Sequence, residues 1–305
     1  MTENERSFRI GPPVHEKGPL VYGDYDQVEL DAAYDQAMYA PFRDQIVRRF
    51  TAASEAAIER LGAPERHRYG STSFEYIDIF RAKQAKAPIF VFVHGGSWKT
   101  SPALRFAYIA EMLVAAGVHC ALVEFAGVET VRGRLLTLAE QLRGAIEWLY
   151  DHAMGFGGDA DRLVLGGHSS GGHLAGTLLT TDWPSFGRPK DLIKGAVLCS
   201  GMYDLFPVSL SKRSAFVAFD DETLEALSPI RHIDRITAPI TLAYGTEETP
   251  EFQRQARDFA AALRAGGKVA ELAVGIGYNH FDIMESLGSP FGILGRAVMQ
   301  HCRPG

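Results

Sequence analysis

Residues 165–176 read LGGHSSGGHLAG, and within them Gly167-His168-Ser169-Ser170-Gly171 has the form G-x-S-x-G. A serine held on a tight strand-to-helix turn can act as a nucleophile, provided that a base takes its proton and donors receive the negative charge that develops on the attacked carbonyl. The glycines leave room for such a turn, and the helix behind it aims its first amides at the site. Ser170 begins that helix, which suits its backbone N–H to an oxyanion site better than its hydroxyl to attack. His168 is adjacent to the serine, but consecutive side chains on such a turn diverge, so it reads as a cavity-lining residue rather than the base. His173, on the following helix, reads as a packed histidine.

A second segment, FVFVHGGSWK, ends an apolar run in His94-Gly95-Gly96. Backbone amides there are unobstructed by side chains, and each well-placed oxyanion donor is worth about 3 kcal/mol of transition-state stabilisation. The base and acid are expected later in the chain. GIGYNHFDIMESL offers His280, and PITLAYGTEETPEF offers Glu247 and Glu248 directly after an apolar run. An acid must hold the histidine in the right tautomer. Glu248 is the expected partner, with Glu247 and Asp282 as substitutes. Around these segments, Trp98, Tyr203, Phe206, Tyr278 and Phe281, together with His168, are the candidate substrate-binding residues, and they favour a flat apolar leaving group.

The elements that must position these residues alternate. FEYIDIF (74–80) has the period of a half-buried strand. PIFVFVHGG (88–96) and HCALVEF (119–125) are nearly continuous apolar runs, as strands covered on both faces should be. DRLVLGG, IKGAVLCSG, APITLAYG and KVAELAVG read as further strands, with amphipathic helical stretches between them. Such alternation over more than 200 residues predicts an α/β fold: a doubly wound, mostly parallel sheet with helices on both faces. Residues 29–62 precede it as one or two helices, and about 202–235 interrupts the rhythm as a small helical insertion or lid. The expected organisation is a flexible segment over 1–20 and a single domain over 21–305.

Composition narrows the function. The chain has 305 residues, 46% of them hydrophobic, and a net charge of −6. An acidic chain without a basic stripe is a poor nucleic-acid binder. The polar start lacks the apolar core of a signal peptide, and no run reaches the roughly 18 apolar residues of a membrane span. Three scattered cysteines, Cys120, Cys199 and Cys302, do not make a disulfide framework and fit the cytoplasm. The ten histidines show no metal-ligand spacing, and no phosphate loop or dinucleotide fingerprint occurs, so neither metal nor cofactor is expected. The apolar helices near the C-terminus suit either a homodimer contact or the covering of the sheet.

These segments resemble the α/β-hydrolase superfamily, and within it the kynurenine formamidases (arylformamidases) and their bacterial relatives. HGGSW (94–98) and GHSSGGHLAG (167–176) carry the superfamily likeness. SGMYDLFPVSLS (200–211), ALSPI (226–230), TPEFQRQARDFA (249–260) and NHFDIMESL (279–287) carry the formamidase-like one, and LDAAYDQAMYAP is similar to that family's N-terminal segment. The resemblance implies a catalytic triad of Ser169, Glu248 and His280, with an oxyanion hole from Gly95, Gly96 and Ser170. It implies hydrolysis of an N-formyl aryl amide such as N-formylkynurenine, with a carboxylesterase of small acyl or aryl esters as the alternative. Glu248 departs from the family's usual aspartate, and Ser97 from its frequent tyrosine. The stretch FAGVETVRGRL also lacks a proline-bearing motif common in relatives. A non-catalytic binder on the same scaffold is the remaining alternative, disfavoured because serine, carboxylate and histidine are all present.

Overall fold

The computed structural model describes residues 11, 12 and 14–303, so most of the expected flexible segment over 1–20 lies outside the described residues. Eight strands form one sheet: β1 (Glu65–Arg68), β2 (Tyr76–Phe80), β3 (Ala87–Val93), β4 (His119–Glu124), β5 (Gly158–His168), β6 (Ile193–Cys199), β7 (Ile240–Gly245) and β8 (Ala270–Gly275). Their order is β1-β2-β4-β3-β5-β6-β7-β8. The pairs β1–β2 and β2–β4 are antiparallel, and every pair from β4 to β8 is parallel.

The apolar runs become strands because both faces of the sheet are covered. All seven residues of β3 are buried, and they alternate between two cores as a pleated strand requires. Ile89, Val91 and Val93 join the core formed with α1 (Gln27–Ala33), α4 (Leu135–His152), α5 (Ser170–Leu179) and α8 (Pro250–Ala265). Phe90 and Phe92 join the core formed with α2 (Arg43–Leu61), α3 (Ile109–Ala115) and α9 (Ile293–Cys302). Helix α9 thus lays Leu294 and Val298 on the sheet. Between these two readings of the C-terminal apolar helices, the structure shows them covering the sheet.

The N-terminal helical stretch resolves into α1, a 3₁₀ turn over Gln36–Tyr39, and α2, with Pro41 at the break. The expected insertion is helical in four short pieces between Phe206 and Arg235, and Met202, Leu205, Val208 and Val217 bury it against the body. Strand β1 has no apolar signal. Its sequence ERHR pairs as a charged edge, where Arg66 grips Asp78 with two hydrogen bonds of 2.8 Å. Charged edges of this kind discourage further strand pairing. Among the described residues, no helix is long and apolar enough to cross a membrane.

The carboxyl ends of β3, β5, β6, β7 and β8 lie side by side, and each is followed directly by one piece of the site. That is where open α/β sheets place their ligands. The turn after β5 leaves no spare volume: a Cβ on Gly171 would overlap the carbonyl oxygens of Val93 and His94. Backbone atoms cannot swing away as a side-chain tip can, so Gly171→Ala should destabilise the fold by about 3 kcal/mol, the upper part of the overpacking range. A thermal melt of the variant beside the parent protein checks this, and an unchanged midpoint would contradict it.

Candidate active site

Ser169 sits between β5 and α5 with φ 57° and ψ −125°, a conformation that side chains other than glycine adopt only at a cost. Two hydrogen bonds hold it there. Its own N–H donates to Cys199 O at 2.9 Å, and its carbonyl accepts the first helical bond, from His173 N at 3.0 Å. The turn therefore belongs to β6 and α5 as much as to β5, and the Oγ is presented at the head of the sheet.

From that Oγ a hydrogen-bond chain runs inward. Ser169 Oγ lies 2.9 Å from His280 Nε2, and His280 Nδ1 lies 2.8 Å from Glu248 Oε2. A carboxylate only accepts, so Nδ1 carries the proton and Nε2 is left to accept from the serine. All three residues are buried. Glu248 is fixed from several directions. Its Oε1 accepts from Gly245 N at 2.7 Å and from Ser200 Oγ at 2.6 Å, and its Oε2 accepts from Gln36 Nε2 at 3.1 Å. Gln36 also accepts from Thr249 N at 3.2 Å, so the N-terminal segment buttresses the loop after β7.

The two substitutes for the acid are elsewhere. Glu247 is exposed, and Asp282 accepts from the backbone and side chain of Asn279, each at 2.7 Å. One register step on the loop decides between the glutamates, because only Glu248 turns inward.

The His94-Gly95-Gly96 segment folds against the serine. A Cβ on Gly95 would lie 2.8 Å from His168 O and 3.0 Å from Ser169 Cβ. Gly96 has φ +132°, and the chain then passes through Ser97 and Trp98 at φ 57° and 59°. Trp98 N donates to Ser170 Oγ at 3.0 Å, which ties this loop to the start of α5. Ser170 begins the helix, where first-turn amides have no intrahelical acceptor.

A cavity of about 480 Å³ opens over Ser169 and His280 and includes Gly95, Gly96, His168 and Phe281 in its wall. Four of the sequence candidates for substrate binding do not reach it. The Trp98 ring is buried in the core, where its Nε1 donates to His173 Nδ1 at 3.1 Å. Tyr203 is buried and stacks on Phe259 at 4.5 Å. Phe206 is largely exposed and meets Tyr22 edge-on at 6.3 Å. Tyr278 packs with the α2–α3–α9 core. Trp98, Tyr203 and Tyr278 were drawn into packing because the area of an aromatic ring is worth more buried.

The cavity wall comes instead from segments that carry no motif. Tyr34, Asp35 and Gln36 come from the N-terminal turn, Val47 and Phe50 from α2, and Lys212, Arg213 and Phe216 from the insertion. The stretch around residues 34–50 therefore forms part of the cavity wall.

Two neighbouring histidines are held neutral. His168 Nε2 lies 2.9 Å from the His280 carbonyl, so Nε2 must carry the proton. Burial, and then the neighbouring His280 ring, keep its pKa well below the usual histidine value. It braces the backbone of His280. His173 Nε2 lies 2.7 Å from Leu227 O, and burial pulls its pKa down to about 4. Both groups bind a proton more readily when the chain is unfolded. Their contribution to stability is complete above about pH 6.5 and is lost as the pH falls towards the folded value. For His173 alone the loss between pH 6.5 and 4 is roughly 3 kcal/mol. Urea unfolding at pH 7 and pH 5 should show the decrease, whereas a flat profile over that interval would refute it. Among the described residues, His15, Asp26 and Glu29 bring ligand-type atoms within 4.8 Å of one another. Asp26 there already caps α1 through Glu29 N at 2.9 Å and binds Gly18 N at 2.8 Å.

Comparison with known proteins agrees with this architecture. The family described as BD-FAE matches residues 77–186. A kynurenine formamidase of Danio rerio is 27% identical over 276 residues, covering 85% of this chain and 90% of the relative. An esterase of Mycobacterium tuberculosis is 28% identical over 219 residues, covering 65% of this chain and 54% of that protein. A solved structure from Silicibacter sp. TM1040 superposes with a TM-score of 0.78 at 25% identity, covering 88% of this chain and 98% of the other. The chain has the α/β-hydrolase fold. With formamidases and esterases among its relatives, it is a hydrolase of the serine type.

Proposed function

We propose that Ser169, His280 and Glu248 form a catalytic triad that hydrolyses an N-formyl aryl amide such as N-formylkynurenine. The observation that carries this reading is the unbroken hydrogen-bond chain from Ser169 Oγ through His280 to Glu248, at 2.9 and 2.8 Å, on the wall of the cavity. Ser169 Oγ attacks the carbonyl carbon as His280 Nε2 takes its proton, and Glu248 stabilises the imidazolium. The amides of Gly95, Gly96 and Ser170 stabilise the oxyanion. His280 then protonates the departing amine, and a water molecule repeats the sequence on the acyl-enzyme, releasing the acid and restoring the serine. The formamidases among the relatives support the amide substrate. The esterases support a second reading, a carboxylesterase of small acyl or aryl esters using the same machinery. The three cysteines are unpaired and buried, which supports a cytoplasmic location.

Two measurements test the assignment. Initial rates on N-formyl-L-kynurenine and on p-nitrophenyl acetate should favour the formamide by orders of magnitude, with both rates abolished by Ser169→Ala. Turnover of the ester alone would favour the second reading, and a fully active Ser169→Ala would refute both. Glu248→Gln should lower kcat by about 10³–10⁴-fold, the effect expected when the residue orienting the base can no longer enforce its tautomer. Glu247→Gln should leave kcat within about twofold, since a solvated loop charge contributes little. The reverse ranking would move the acid by one residue.

A further inference from the structure

The cavity wall carries five cationic side chains, Arg43, Lys99, Arg105, Lys212 and Arg213, against one carboxylate, Asp35. Two of the five are already neutralised: Arg43 pairs with Asp44 and Lys212 with Asp35. Among the described residues, no ion pair is made by Lys99, Arg105 or Arg213.

Arg213 is the unusual member. It is only 6% exposed, and a buried cation ordinarily has a carboxylate beside it. Here Nη2 donates to Tyr34 O at 2.9 Å, while Nε and Nη1 have no acceptor from the protein. The guanidinium lies 5.5 Å from the Trp98 ring centroid, a contact that favours the cation but accepts no hydrogen bond. Burial lowers its pKa to about 10, which leaves it protonated at neutral pH. Lys99 stands on the same wall, with Nζ 4.4 Å from the Phe216 ring centroid. Leaving donors of a buried charge unmatched is costly, and the cost is removed when a ligand brings the anion.

We propose that Arg213, assisted by Lys99, is a specificity-determining residue that binds a carboxylate carried by the substrate on the part of the molecule remote from the scissile bond. The aromatic walls provided by Phe50, Phe106, Phe216 and Phe281 hold the flat body of that substrate between the carboxylate site and Ser169. The substrate class is then an acylated aromatic compound with a free carboxylate, whether the scissile bond is a formamide or an ester. This rests on the acyl-transfer reading of Ser169 and adds the charge that the cavity wall selects.

The test compares each anion with its neutral isostere. Turnover is measured on N-formyl-L-kynurenine against its carboxamide, and on 4-acetoxybenzoate against 4-acetoxybenzamide, for the parent protein, Arg213→Gln and Arg213→Lys. Binding of benzoate and benzamide to Ser169→Ala, with and without Arg213→Gln, is followed by calorimetry, and circular dichroism with thermal melts checks that each variant is folded. In the parent protein the anion should be preferred at least tenfold in kcat/KM, chiefly through KM. The ratio should collapse towards one in Arg213→Gln whatever loss the two substrates share, and partly recover in Arg213→Lys. If Arg213→Gln does not fold, Arg213→Lys and the parent ratios carry the test. A parent ratio near one, or a preference that survives Arg213→Gln, would overturn the proposal. Benzoate binding that depends on Arg213 in a protein that turns over no substrate would sustain the carboxylate site while refuting the acyl-transfer reading.

Discussion

Everything at the head of the sheet depends on one backbone constraint, the left-handed conformation of Ser169. A residue with a side chain held there stores about 1–3 kcal/mol of strain. The surroundings must over-determine it, and they do so with contacts from four directions. The amide is fixed to β6 and the carbonyl to α5. Gly95 closes from the β3 side, and Gly171 lets the helix approach the end of β3. The consequence is a hydroxyl that points away from the turn into the cavity, with the start of α5 directly beside it. Any substituent that enlarges this turn moves the Ser169 hydroxyl, the helix start and the glycine loop together.

A second constraint concerns the acid. Glutamate has one methylene more than aspartate, and the loop after β7 accommodates that length by folding the carboxylate back onto its own Gly245 amide. Ser200, itself at φ 53°, and Gln36 complete the shell. The buried charge is thus held by donors from the end of β6, the end of β7 and the N-terminal turn. This gives the N-terminal helices a role in the site rather than a purely peripheral one. They supply a hydrogen bond to the acid, and they also form one side of the cavity.

What the sequence revealed, and what it did not, follows from how local each feature is. The meeting of Ser169, His280 and the glycines at 95 and 96 was legible because each follows a strand end or sits on a sharp turn, both of which leave local marks. The sheet was legible because strands covered on both faces have continuous apolar runs. Glu248 was the expected partner, but Glu247 remained a substitute because one register step on a loop leaves no trace in composition. Gln36 lies 212 residues from the glutamate that it contacts, and Arg213 lies 179 from the Tyr34 carbonyl that it contacts. Their importance exists only in the folded chain. The aromatic candidates failed for a related reason: a ring's address in sequence does not say which side of a loop it faces, and Trp98 and Tyr203 face the core. Strand β1 escaped notice because a solvated, charged edge has no hydrophobic period.

The most direct test of the central claim is covalent labelling with a fluorophosphonate, followed by peptide mass spectrometry. The reagent reacts only with a serine whose proton is being withdrawn by a positioned base. The account predicts one adduct, on Ser169, that is absent in Ser169→Ala and greatly slowed in His280→Ala. An adduct on Ser170 or elsewhere, or labelling of Ser169 that proceeds equally fast without His280, would contradict it.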